Sequence, residues 1–382
     1  MKGGGDISTG EATHRLDIHV LADKQWKGRK GMKKWMLLTI SILMVLSMVL
    51  AACGPSAPAT PPAETCPEGA IRVGMVSDIG GIDDASFNQN TWEGLARARD
   101  ELGVCAQFIE SQAQADYEKN ITEFAEQGYD LIITVGFLLG DATAKMAAQY
   151  PDVKFGIVDF AYDPGIDNVV GIVFETDEAA FLTGYLGSYW AATQDPEDPQ
   201  LGYVAGMQIP TVEIFVAGHE AAVAYYNEQH GTNVQIKGTY VGDFEAADQG
   251  KIQGESLIDE GADVIYGIGG KTGNGGLTAA KERGKWGVGV DVDQYYTLPN
   301  EKDILITSTI KRLDNAVYGV VQSVLDGNFA GGGVYVGTLA NGGVDMAPFH
   351  DFDGQIPDEI VQELDTIRAG IIEGTIDTGW EG

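Results

Sequence analysis

The sequence predicts an α/β fold of two lobes, each a parallel sheet flanked by helices, with a cleft between them. Three observations carry this expectation. Short β-type runs alternate with helix-length segments along most of the chain, which is the pattern of parallel sheets covered on both faces. About nine such runs are more than one ordinary sheet holds, and a second strand–helix series begins near residue 174. The 382 residues are 44% hydrophobic and 21% charged, enough for two ordinary domains and unlike a disordered chain.

In chain order, the strands are read at "IRVGMVS", "AQFIES", "DLIITVG", "VKFGIVDF", "LGYVAGM", "VQIKGTYV", "DVIYGIGG", "WGVGVD" and "ILITSTI". Between most of them lie expected helices over Gln89–Leu102, Asp116–Gln127, Asp141–Gln149, Glu178–Thr193, Val212–Gln229, Asp248–Asp259 and Asn274–Arg283, and Leu313–Leu325 follows the last strand. Tyr117, Ile121 and Phe124 share one face of the second, as an amphipathic helix requires. Crossings between lobes are expected near Phe174, Val292 and Gly333. The first lobe would then comprise residues 70–174 and 293–332, the second 175–292 and 333–382. No repeat between the lobes is visible in the residues.

The first 52 residues differ from the rest. Lys33 and Lys34 precede an apolar run, Trp35 to Leu50, that ends in "LAAC" at Cys53. This pattern over residues 32–52 resembles a bacterial lipoprotein signal, with Cys53 the lipidated residue and residues 53–69 a Pro/Ala-rich tether. A plain membrane anchor is the competing reading, since the run is nearly long enough to span a bilayer. Residues 1–31 read as an extension upstream of a start at Met32. The expected location is the cell membrane, lipid-anchored and facing outside the cytoplasm.

Charge and cysteine usage narrow the function classes. The chain carries −32, and its first 52 residues hold 8 Lys/Arg against 4 Asp/Glu, so the body carries −36. A body this acidic repels nucleic acid and anionic lipid. Cys66 and Cys105 precede the first and second strands. In a strand–helix–strand unit both lie at the amino ends of neighbouring strands, so they form a disulfide if their Cβ atoms converge, and otherwise stay two buried thiols. The remaining Cys and His have no ligand spacing, so no metal or cofactor is expected.

Ligands of parallel sheets sit outside the carboxyl ends of strands, which singles out "SDIGGIDDASFNQNTWEGL" after the first one. Asp78 ends the strand, and Gly80 and Gly81 permit a tight turn. Ser86-x-x-Gln89 fits a capping box that starts the helix and turns Phe87 and Asn88 toward the cleft. An acid, an aromatic face and an amide suit a flat ring with polar edges. On spacing alone, Phe87 packing into the core with Asp83 and Asp84 as helix caps is an equal alternative.

This stretch resembles the signature of the basic membrane lipoprotein family, also called Bmp or PnrA-like, close to D-x-G-G-I-N-D-x-S-F-N-Q. In order follow "ITVGFLLGDAT", "FETDEAAFLTGYL", "GYVAGMQIPTVEIFVAGHEAA", "YVGDFEAADQGK", "EGADVIYGIGGKTGNGG", "GVGVDVDQY" and "ILITSTIKRLDNAV". The resemblance covers about residues 70 to 330. It implies a two-lobed, type I periplasmic-binding-protein-like fold and a receptor that delivers purine nucleosides to the permease subunits of an ABC importer. It also implies that Asp78 and Asn88 bond the base edge, that Phe87 stacks on the base, and that Phe215, with Phe244 the runner-up, closes the other face. Asp291 and Lys311 would take ribose hydroxyls, with Asp141 a weaker carry-over. The chain departs from the family pattern at Asp83, where Asn is usual, and at Lys271, where a neutral run is usual.

Gly270-Lys271-Thr272 ends like a Walker A loop, but the glycine required five residues earlier is Ile265. Nor is there a nucleophile elbow or a His-Glu-x-x-His helix. No enzyme is expected, and Gly270 is read as a point where backbone N–H groups approach a ligand oxygen. A sensor or storage protein of the same fold, taking a sugar or another small polar ligand without an importer, is the alternative.

Overall fold

Apolar residues that follow one another without polar alternation make strands buried on both faces, and Leu131–Val135 is the plainest case, all five residues being buried. The computed structural model describes residues 66–381. The expected signal segment and Cys53 lie outside the described residues. The strands are β1 Arg72–Val76, β2 Cys105–Ile109, β3 Leu131–Val135, β4 Lys154–Val158, β5 Val169–Phe174, β6 Gln200–Ala205, β7 Gln235–Tyr240, β8 Val264–Ile268, β9 Trp286–Asp291, β10 Leu305–Lys311, β11 Val334–Gly337 and β12 Val344–Met346. The helices are α1 Phe87–Leu102, α2 Tyr117–Glu126, α3 Gly140–Gln149, α4 Thr176–Gln194, α5 Pro210–His230, α6 Ala247–Asp259, α7 Gly270–Glu282, α8 Gln294–Thr297, α9 Leu313–Leu325 and α10 Asp358–Ile372.

Among the described residues the strands form two six-stranded sheets, ordered β11-β5-β4-β3-β1-β2 and β12-β10-β9-β8-β6-β7. All neighbours run parallel except β10 and β12. The two orders superimpose strand for strand, so β1 to β5 correspond to β6 to β10. Helices cover the faces: α9 packs on α1, α4 on α5, α6 on α7, and α10 on α4. Cys66 and Cys105 form a disulfide with their Cα atoms 5.4 Å apart, joining the segment before β1 to the first residue of β2.

The crossings differ from those expected at Val292 and Gly333. β10 lies in the second sheet, in parallel register with β9, and the chain returns to the first lobe only after Lys311, where α9 docks on α1. The helix between β9 and β10, α8, has only four residues, so the usual long crossover that marks a strand pair within one lobe is missing from the sequence pattern. β11 then joins the first sheet beside β5, and the last crossing follows Gly337. β5, β11, β12 and α10 complete the lobes beyond the expected elements.

Candidate functional site

The loop after β1 is organised by one carboxylate. Asp84 accepts hydrogen bonds from the backbone N–H of Ser86 at 3.0 Å, Asn88 at 2.8 Å and Gln89 at 3.1 Å, satisfying donors that a helix start leaves unpaired. The Ser86-x-x-Gln89 capping box does not form: Ser86 makes no side-chain cap bond, and the Gln89 amide turns to Glu93. A carboxylate with two oxygens serves several N–H groups at once, which one serine hydroxyl cannot.

Asn88 is held in one orientation. Its Nδ2 donates to Asp78 Oδ1 at 2.9 Å and Asp84 Oδ2 at 3.2 Å. Ionised carboxylates only accept, so the amide nitrogen must face them. The Asn88 Oδ1 is thereby left buried with no partner in the protein, an acceptor placed for a ligand donor.

Three more strand ends converge on the same place. Asp159 follows β4 and Asp291 ends β9, and both adopt left-handed backbone, with φ of 64° and 66°. Non-glycine residues rarely do so, and such outliers gather at ligand sites. Lys311, the last residue of β10, is buried and donates from Nζ to Asp159 Oδ2 at 2.7 Å. The same Nζ lies 5.1 Å from the Phe87 ring centre, 5.3 Å from that of Phe174 and 5.8 Å from that of Phe215, within range of cation–π attraction.

Burial dominates the electrostatics. It pushes the Asp78 carboxyl up to about 6 despite bonds from Gly80 and Asn88, with Asp84 and Asp159 adding to the rise. It pushes Asp291 up to about 7, opposed by Lys311 and reinforced by Asp84 and Asp159. Asp84 and Asp159 are also raised by burial, the first against its backbone bonds and the second against Lys311. Four buried acids around one ammonium favour a ligand that brings hydrogen-bond donors rather than negative charge.

Between the lobes these groups line one pocket. The first lobe contributes Asp78, Asp84, Phe87, Asn88, Phe137 and Asp159, and the second contributes Thr211, Phe215, Phe244, Gly270, Asp291 and Lys311. Phe87 is half-buried and faces the pocket, so it is not simply a core residue. Phe215 and Phe244 both reach it. Thr272 positions the latter, donating to the Asp243 carbonyl at 2.6 Å and, through its own N–H, to the Phe244 carbonyl at 3.1 Å. Asp141 does not reach the pocket: it is exposed in the first turn of α3, where a carboxylate complements the helix dipole. Asp159, Phe137 and Thr211 were missed from the sequence. Asp159 directly follows the run "VKFGIV", so the rule that ligands sit beyond the carboxyl ends of parallel strands points to it.

Two lobes of matching strand order with strand ends converging on a polar and aromatic pocket define a ligand-binding protein of the periplasmic-binding-protein class. An ABC transporter system solute-binding protein from Aeropyrum pernix has the same architecture, with a TM-score of 0.74 at 30% identity over 80% of this chain and 92% of that one. The chain belongs to the Bmp family, described as ABC transporter substrate-binding protein PnrA-like, which matches residues 71–379. The match extends past residue 330 because β11, β12 and α10 are integral to the two lobes. Among similar proteins, the "ABC transporter nucleoside-binding protein BmpA" of Lactococcus lactis is 30% identical over 324 residues, 80% of this chain and 88% of that protein. An uncharacterized lipoprotein of Pyrococcus abyssi is 32% identical over 322 residues, 79% of this chain and 78% of that protein. The family and fold are those of substrate-binding proteins, which are not enzymes. Among the described residues no helix is long and apolar enough to cross a membrane.

Proposed function

We propose that this chain is the lipid-anchored receptor of an ABC importer and that its cleft takes purine nucleosides. One observation carries the reading: phenylalanines from opposite lobes, Phe87 and Phe215, line a single pocket together with buried acids and the unpartnered Asn88 Oδ1. A base offers two flat faces to the rings and N–H donors to Asp78 and Asn88. A ribose offers hydroxyls to Asp291, to Asp159 and to Lys311. The name of the Lactococcus lactis relative supports a nucleoside, and that of the Pyrococcus abyssi relative supports the anchor at Cys53. In this reading closure of the lobes is the signal that the permease subunits receive.

A thermal-shift screen of nucleosides, free bases and sugars tests the ligand class. Ligand at a hundred times its Kd stabilises the folded state by about 2.7 kcal/mol, so a purine nucleoside should raise Tm where ribose and other sugars at equal concentration do not. A shift with sugars alone would overturn the nucleoside reading. Cys53→Ala tests the anchor: it should abolish acyl labelling and move the protein out of the detergent phase, and unchanged partitioning would refute lipidation.

A further inference from the structure

The segment Asp83–Ala85 of the first lobe is gripped by side chains of the second. Lys271, on α7, bonds Asp83 at 2.7 Å across the cleft and Glu245 of its own lobe at 3.0 Å. Asn274, one turn further along α7, donates from Nδ2 to the Asp84 carbonyl at 2.9 Å. The Ala85 carbonyl receives Thr297 Oγ1 at 2.8 Å and Gln294 Nε2 at 3.3 Å. This grip is built in advance. Gln294 is fully buried, its Oε1 accepts the Val290 N–H at 3.1 Å, and its Nε2 also bonds Asn274 Oδ1 at 3.0 Å, so the two amides orient each other.

The gripped backbone is strained. Ala85 has φ of 58°, a left-handed conformation that a residue with a Cβ keeps only where its surroundings over-determine it. Here the surroundings are carbonyl bonds from the other lobe. The same segment carries Asp84, whose carboxylate fixes the Asn88 backbone and amide. Lys271 and Asp83 are each other's partners across the cleft.

We propose that Lys271, Asn274, Gln294 and Thr297 form a closure latch on the Asp83–Ala85 segment, so that docking of the lobes itself sets Asn88 in its ligand-ready orientation. These are positioning residues; among them none lines the pocket. The proposal rests on the cleft's being the ligand site and goes beyond it in assigning which contacts hold the closed state. Opening removes every one of the four contacts together, letting Ala85 relax and Asp84 move with it. The ion pair is exposed at Asp83 and adds a salt-sensitive component, whereas the amide contacts are shielded.

The test uses the full chain, inosine as probe, and the variants Lys271→Met, Asp83→Asn, their double, and Asn274→Ala. In low salt, Lys271→Met should raise the inosine dissociation rate about two- to fivefold, the range of an exposed ion pair, with little change in association rate. In about 1 M salt that difference should vanish. The double variant should match Lys271→Met alone, because the pair acts as a unit. Asn274→Ala should raise dissociation about two- to tenfold at either salt. In protein without ligand, hydrogen exchange at the Ser86, Asn88 and Gln89 amides should quicken in Asn274→Ala while β3 amides are unaffected. Unchanged exchange at those three amides overturns the latch whether or not inosine binds. Faster exchange there, with wild-type protein that takes no inosine, keeps the latch and overturns the nucleoside reading instead.

Discussion

Asp291 shows how a single residue links stability to binding. Its carboxyl is buried beside Asp84 and Asp159, and burial lifts it from 3.8 to about 7. The unfolded chain releases this proton near 3.8 and the native chain holds it to about 7, so the native state binds more protons in between. The contribution to stability is therefore fully present below pH 4 and is lost as pH rises through 7. Asp291→Asn, which removes the ionisation, should be more stable than wild type by about 1–3 kcal/mol at pH 8 and show no such advantage at pH 4, as urea unfolding at the two pH values would reveal. The same change should weaken a purine nucleoside by about tenfold or more, since a charged hydrogen bond contributes ~1.5–3 kcal/mol. Binding of the free base should be nearly unaffected. A variant that gains stability and loses ligand marks a residue kept for function. In the proposed reading Phe87 stacks on the base, so Phe87→Ala should weaken all nucleosides by about 5- to 150-fold irrespective of the base, stacking on an aromatic being worth ~1–3 kcal/mol.

At the scale of elements, the corresponding strands of the two lobes carry corresponding residues, a repeat that was not seen in the sequence. "DLIITVG" and "DVIYGIGG" contain the corresponding strands β3 and β8. Asp130 accepts the Arg72 N–H at 2.8 Å at the start of β1, and Asp263 accepts the Gln200 N–H at 3.1 Å at the start of β6. Gly136 and Gly269 follow β3 and β8 with φ of 109° and 91°, Asp159 follows β4, and Asp291 ends β9. The repeat is hidden because α3 and α7 share only helical character, and drift in their residues masks the matching strand ends. Most elements were legible because buried parallel strands are nearly all apolar and helix-length segments separate most of them. Caps and crossings were not, since they depend on which oxygen reaches a donor and which sheet a strand joins. The cap of α1 is an example, since spacing left Ser86 and Asp84 as alternatives and only the geometry selects Asp84, and Asp141 outside the pocket is another. Asp84→Ala should cost about 1–2 kcal/mol of stability through loss of the cap and should also weaken ligand by freeing Asn88. Ser86→Ala should have a smaller effect in denaturant unfolding and calorimetry alike; equal losses in the two variants would restore the capping box.

Among the described residues the chain forms two lobes joined by three crossings, with the disulfide confined to the first lobe. Cys66–Cys105 closes a loop of sequence separation 39, and reduction should lower stability by about 2–4 kcal/mol. Intact-mass measurement after alkylation under denaturing conditions should show no alkyl group added at either cysteine; two added groups would contradict the bridge. The pocket's acids Asp78, Asp84, Asp159 and Asp291 are buried although the body is strongly acidic. The central claim, that this cleft takes a purine nucleoside between Phe87 and Phe215, is tested most directly by calorimetric titration of inosine, adenosine, guanosine and ribose into the full chain. Saturable one-to-one binding of at least one purine nucleoside, with ribose silent, is the predicted result. Saturable binding of ribose or another free sugar, with no heat from any nucleoside, would contradict it.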